Sequence, residues 1–197
     1  MKHADENIQA ALHVAEQSQY PKDILAGPVR VGNQYIEFAP QLFFKDTLSV
    51  YIPTEFEDMP EHLRKLKYPY EQRPQIIKSD GSGSINFTFN WIDQDLQEQW
   101  VKQMTDGMKS IIQKANPSNV FFSEGIEVVD NKQIGFFDFK SPALDGFIYH
   151  VMYFFELEGK TIMGTFNCLY IDHKQWRDFA FQVMRTIKVV QEDEKGV

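Results

Sequence analysis

The chain has 197 residues, a formal net charge of −8 and 14% aromatic residues, with 17 Phe and 8 Tyr. That size suits one domain with short extensions, and so apolar a composition excludes a disordered chain. The acidic balance lacks the basic surface behind most nucleic-acid and anionic-lipid affinity, so neither nucleic acid nor membrane is an expected partner.

One cysteine, Cys168, cannot close an intrachain disulfide. A stapled secreted fold is thereby ruled out, and a cytoplasmic location is the expectation. The opening "MKHADENIQAALHVAEQ" has no apolar signal-peptide core, and no run reaches the roughly 20 apolar residues of a membrane span.

Residues 1–34 read as an N-terminal, partly helical extension. "ENIQAALHVAEQ" sets Ile8, Leu12 and Ala15 on one side of a helix, and Pro21, Gly27, Pro28 and Gly32 then break the chain. A single domain follows over 35–190, with 191–197 as a charged tail. "QYIEFAPQLFF" and "LSVYIP" read as strands around a Lys45-Asp46 turn. "EFEDMPEHLRKLKYP" reads as a short helix or irregular turn. The segment up to "SDGSGS" is a long exposed connection, with Ile76 and Ile77 as a candidate strand start. "INFTFNW" alternates apolar and polar residues, the period of a strand.

A long helix is expected from Asp93, as N-cap, to Ala115, with the stripe Leu96, Trp100, Met104, Met108, Ile111 and Ile112. Asn116-Pro117 ends it. Four strands follow, turning at Asp130-Asn131, between Pro142 and Gly146, and at Glu158-Gly159. Asp172 is the expected cap of a final helix whose stripe is Trp176, Phe179, Ala180, Val183, Met184 and Ile187. "FIYHVMYFFEL" is apolar at nearly every position, so both its faces should be covered. The fold class is α+β: a mainly antiparallel sheet of about six to seven strands with a long helix on each face, an α/β/α sandwich.

This order resembles the PsbP-like or Mog-type fold, a group that includes a photosystem extrinsic protein, Ran-binding nuclear import factors and the DcrB-like bacterial proteins. The resemblance rests on "FKDTLSVYIPTEF", "GSINFTFNWIDQDLQEQW" and "GKTIMGTFNCLYIDHKQWRDFAFQVMRTIKV", and it covers roughly residues 36–189. It implies protein binding, and for some DcrB-like members a chaperone role.

Chemical candidates are few. A Cys168 nucleophile needs a base, and the nearest histidines are His150 and His173. If Glu158-Gly159 is a two-residue loop, Cys168 faces Tyr149 and His150 faces Asn167, on opposite sides of the sheet; a longer loop reverses this. The five histidines show no metal-ligand spacing, and no metal or cofactor is expected. The carboxylates of "DQDLQE" suit a helix N-terminus, and "SDGSGS" precedes a strand, unlike a P-loop. Tyr68, Tyr70 and Arg73, on a proline-stiffened connection, are residue types enriched at protein interfaces. The expected function is a non-enzymatic protein-binding or accessory, chaperone-like domain using those residues. The alternatives are a small Cys168-dependent hydrolase or transferase and a structural homodimer.

Overall fold

A computed structural model describes residues 22–69 and 73–190. The stripe at Ile8, Leu12 and Ala15, Tyr70, and the charged tail lie outside the described residues. In chain order the elements are β1 (Val29–Val31), β2 (Gln34–Ile36), β3 (Phe38–Phe43), β4 (Leu48–Pro53), β5 (Glu57–Asp58), α1 (Glu61–Lys67), β6 (Ile76–Ser79) and β7 (Asn86–Asp95). They continue with α2 (Val101–Ala115), β8 (Val120–Val129), β9 (Lys132–Ala143), β10 (Gly146–Leu157), β11 (Lys160–Leu169), α3 (His173–Arg185) and β12 (Lys188–Val189).

Turn chemistry sets the register of the main sheet. Asp130 and Asn131 have φ of 46° and 62°, and Glu158 and Gly159 have 52° and 77°. Left-handed backbone at both positions is what a two-residue hairpin with the right twist requires. Leu157 therefore pairs with Lys160, and the register carries through to Tyr149 opposite Cys168 and His150 opposite Asn167. The result is a seven-stranded sheet, β5-β6-β7-β11-β10-β9-β8, antiparallel at every pairing.

The opening hairpin stays out of that sheet. β3 and β4 pair with each other, and β4 takes β12 on its other side, giving a separate three-stranded sheet. Leu48, Val50 and Ile52 alternate into the core on β4, so the hairpin has one apolar face to lay down. It meets the main sheet face to face: the Phe43 and Phe89 rings stack at 5.2 Å. The connection supplies the main sheet's outer strands, β5 and β6, in its place. Ile24, Val29 and Val31, ahead of Tyr35, are also buried in this core.

The two long helices pack on different core residues of the central strands. Trp176, Ala180, Val183 and Met184 of α3 are buried with Phe87, Phe166 and Phe155. Each fully buried ring or branched side chain contributes roughly 2 kcal/mol. Gly164 sits beneath Tyr153, whose ring occupies the space where a Cβ would project, so only glycine fits there. Met104, Met108 and Ile112 of α2 pack on Phe137, Phe139 and Phe154.

Three local expectations are corrected. The stretch "DQD" continues β7 instead of opening the helix, because its backbone keeps pairing with β11, Asp95 opposite Lys160, and the Leu96 N–H donates to the Gly159 carbonyl at 2.9 Å; Lys160 Nζ lies 2.6 Å from Asp93 and 2.9 Å from Asp95. A 3₁₀ turn over Glu98–Trp100 then sets the phase of α2, so Val101 and Thr105 face inward while Trp100 and Ile111 are exposed. Asp172 stands at the N-cap of α3 but makes no side-chain cap bond, since the chain enters through a second 3₁₀ turn, Tyr170–Asp172. The third concerns β10, whose faces are not equally covered. Tyr149, Val151, Tyr153 and Phe155 are fully buried, whereas His150 and Met152 on the opposite face are only partly buried.

Candidate recognition site

The most distinctive chemistry lies at the end of the sheet where β8 begins, β9 turns into β10, and β11 runs out. Pairing of β8 with β9 slips between Phe121 and Ser123, so Phe122 is an extra residue, a bulge. Bulges re-aim side chains, and this one is locked from inside. The Ser123 N–H and hydroxyl each donate to Asp138 Oδ1 at 2.6 Å. The Tyr149 hydroxyl donates to Asp138 Oδ2 at 2.6 Å, and Arg177 Nε donates to the same oxygen at 2.8 Å. Arg177 also reaches Ser123 Oγ at 3.0 Å.

Asp138 is 0% exposed. A carboxylate this deep persists only with a compensating charge and a full set of donors, and it has both. Burial, then the bond to Asp138, push the Tyr149 phenol far above its ordinary range, so its proton stays in place. Burial works against the Arg177 charge, but the hydrogen bond and charge of Asp138 outweigh it and hold the guanidinium protonated. With four donors on two oxygens the carboxylate is a clamp joining β8, β9, β10 and α3.

What the clamp positions is apolar and open. Phe122 is 45% exposed and stacks beside Tyr170 at 6.2 Å with an interplanar angle of 12°. Tyr170 stacks on His173 at 4.2 Å, and the Tyr170 carbonyl lies 2.6 Å from His173 Nδ1. Lys140 Nζ lies 4.9 Å from the centroids of both Phe147 and Tyr170, within cation–π range. Of thirteen exposed large hydrophobic residues among those described, six cluster at this end: Val120, Phe122, Leu144, Phe147, Leu169 and Ile171. Leu144 at the hairpin tip is 99% exposed and Ile171 83%. Soluble surfaces scatter such residues singly, so this cluster sets the end apart from the rest of the described surface.

The sequence candidates fall elsewhere. Cys168 is buried, and burial followed by the nearby Asp172 carboxylate pushes its thiol up to about 12. His150 lies on the opposite face, its Nε2 2.9 Å from Ser141 Oγ and its ring stacked on Phe139. Burial lowers its pKa to about 4. The thiol thus has neither a base nor an environment that favours thiolate, which removes the geometric support for a Cys168 nucleophile. Among the described residues no group of three or more His, Cys, Asp or Glu is placed to hold a metal ion.

Tyr68 and Arg73 are brought together as the connection folds on itself. Arg73 Nε donates to the Tyr68 carbonyl at 2.7 Å, and its guanidinium lies 3.7 Å from Glu61. The Tyr68 ring is half-buried, with its hydroxyl near Asn167, and burial raises its pKa. In "SDGSGS" the Asp80 carboxylate accepts from the backbone of Ser82 at 3.2 Å and of Ile85 at 2.8 Å, so these N–H groups already have an acceptor. Phe122, Phe147, Tyr170 and Lys140 carried no signal of their own in the sequence.

No protein-family model and no curated protein matches the sequence. Solved structures do match. The cyanobacterial PsbP protein CyanoP from Synechocystis sp. PCC 6803 superposes with a TM-score of 0.57 at 8% identity, over 78% of this chain and 92% of that one. LpqN of Mycobacterium tuberculosis, described as involved in cell envelope biogenesis, gives 0.52 at 10% identity, over 82% of this chain and 95% of that one. Identities this low speak to architecture alone. On that architecture, the chain has a PsbP-like fold.

Proposed function

We propose that this protein is a non-enzymatic, cytoplasmic accessory or chaperone-like domain that binds another protein through the aromatic end of its sheet. The observation that carries this reading is the cluster of exposed apolar side chains around Lys140, seated on a fully satisfied buried clamp. In this reading the antiparallel sheet, with a long helix on each face, is scaffold. The rings are held before any partner arrives, so little side-chain entropy is lost on binding. Aromatic residues are also the types that dominate interface energetics. The connection bearing Tyr68, Tyr70 and Arg73 is a second, weaker surface in the same proposal.

The test is affinity capture from native cells on the immobilised chain, in three forms. The unaltered chain retains a specific protein. Phe122→Ala with Phe147→Ala and Tyr170→Ala loses it, by about thirtyfold or more per lost anchor of about 2 kcal/mol. Tyr68→Ala with Tyr70→Ala and Arg73→Ala weakens it less. Denaturant midpoints confirm that each variant folds. Equal retention by all three forms would discard the aromatic end as the binding surface.

A further inference from the structure

The two long helices are held to the sheet by different chemistry. α3 buries Trp176, Ala180, Phe181, Val183 and Met184. α2 buries Val101 and Thr105, both in its first half. Thr105 fills the space where a Cβ on Gly135 of β9 would project, so that half is seated directly on the sheet backbone. Beyond it, Met108 and Ile112 pack against Phe137, Phe139 and Phe154, and both are only partly buried. Lys109 also pairs with Glu124 of β8, but both side chains are partly exposed, and such pairs add little stability.

Methionine is concentrated in that contact. Of the seven methionines, Met1 lies outside the described residues. Met59 and Met184 are buried, at 6% and 0% exposed. The others are Met104 and Met108 of α2, Met152 of β10 and Met163 of β11. All of these pack against the core of Phe137, Phe139 and Phe154, and all are partly exposed. A thioether fills such an interface without branching or charge, and its sulfur keeps a lone pair that a small oxidant can reach.

We propose that Met104, Met108, Met152 and Met163 form an oxidation site for hydrogen peroxide, and that their conversion to sulfoxides frees the second half of α2 from the sheet. In each step a lone pair of Sδ attacks one peroxide oxygen. The S–O bond forms, the O–O bond breaks, and the second oxygen leaves as water after a proton shift. Sulfur is oxidised and the peroxide reduced, so no further reactant is needed. The product carries a polar S=O group among aromatic rings that offer it no donor, and burial that favoured the contact now opposes it. The first half of α2 stays seated through Val101 and Thr105, while Phe137, Phe139 and Phe154 are uncovered. These observations are independent of the partner-binding proposal.

The experiment treats the full chain with graded hydrogen peroxide, maps oxygen gain by peptide mass, and follows amide hydrogen exchange. Met104, Met108, Met152 and Met163 should be oxidised about tenfold or more faster than Met59 and Met184. Amides of 108–115 should then exchange faster while those of 173–185 hold. Methionine sulfoxide reductases of both stereospecificities should reverse the change. That reversal is read on the unaltered chain, so it does not depend on a variant folding. Met104→Leu with Met108→Leu, Met152→Leu and Met163→Leu keeps side-chain volume nearly constant, and its α2 amides should be indifferent to the same peroxide dose. Oxidation of Met59 and Met184 at the same rate overturns the inference. So do sulfoxides without faster exchange at 108–115, equal loosening of 173–185, a change the reductases do not reverse, or loosening of the substituted chain at that dose.

Discussion

The two ends of the main sheet are built from the same strands and finished in opposite ways. At the end with the Asp130-Asn131 and Glu158-Gly159 turns, charges meet charges. Lys132 lies between Glu156 and Glu98, and Lys160 bridges Asp93 at 2.6 Å and Asp95 at 2.9 Å. At the other end Leu144, Phe147, Leu169 and Ile171 face solvent, and the charge of consequence, Asp138, is fully buried. The first end pairs its charged groups with one another at or near the surface. The second spends its polar chemistry inside, on rigidity, and leaves its apolar surface for something else to cover. Surface chemistry alone would have ranked the charged end as the richer site; burial reverses that ranking.

The largest effect should come from the clamp. Asp138→Ala strands the Arg177 charge and leaves the Tyr149 and Ser123 donors unpaired, a loss of about 3–5 kcal/mol. A fall in the urea midpoint at constant slope would measure it. A loss under about 1 kcal/mol would mean that the apolar end is not held by this network.

Acid should separate the ends next. The folded-state pKa of His150 is about 4, below its ordinary 6.5. The unfolded chain therefore takes up a proton that the fold refuses. This contribution is fully present above about pH 6.5 and is lost as pH falls toward 4, about 2 kcal/mol by pH 4.5. Burial works to raise Glu156, but Lys132 and the Gly159 N–H outweigh it and hold its carboxyl below the ordinary range. The charged end should thus weaken only at lower pH. Urea titrations at pH 7 and 4.5 with His150→Gln test the order: the early loss should vanish in the variant. A loss that remains belongs to another group.

The smallest effect is expected at Lys160→Ala. Its partners Asp93 and Asp95 are largely exposed, and exposed ion pairs add little stability. The urea midpoint should stay within measurement error. A drop approaching that of Asp138→Ala would erase the contrast between the ends.

Local signals were sufficient for much of this fold. Read as a two-residue loop, the Glu158-Gly159 turn puts Cys168 opposite Tyr149 and His150 on the other face, and the structure has that loop and that register. Asn116 ended α2 where the following proline demanded it. The misread stretch, "DQDLQE", failed because its acids suit a helix start equally well, and the lysine that claims them is Lys160, 65 residues beyond Asp95. The recognition site was still less legible. Asp138 and Arg177 stand 39 residues apart, and the bulge that turns Phe122 outward is a mismatch between two strands that neither strand reveals alone.

The sequence by itself determined the α+β class and the positions of the hairpin turns, since turn chemistry and period-2 alternation are short-range constraints, and it made the β10–β11 register depend on one loop length. Tertiary structure decided that the opening hairpin would form its own sheet, that one face of β10 would stay partly open, and that one end of the sheet would be apolar. Those outcomes depend on which distant groups compensate a buried charge and which surfaces find cover, and no local pattern carries that information.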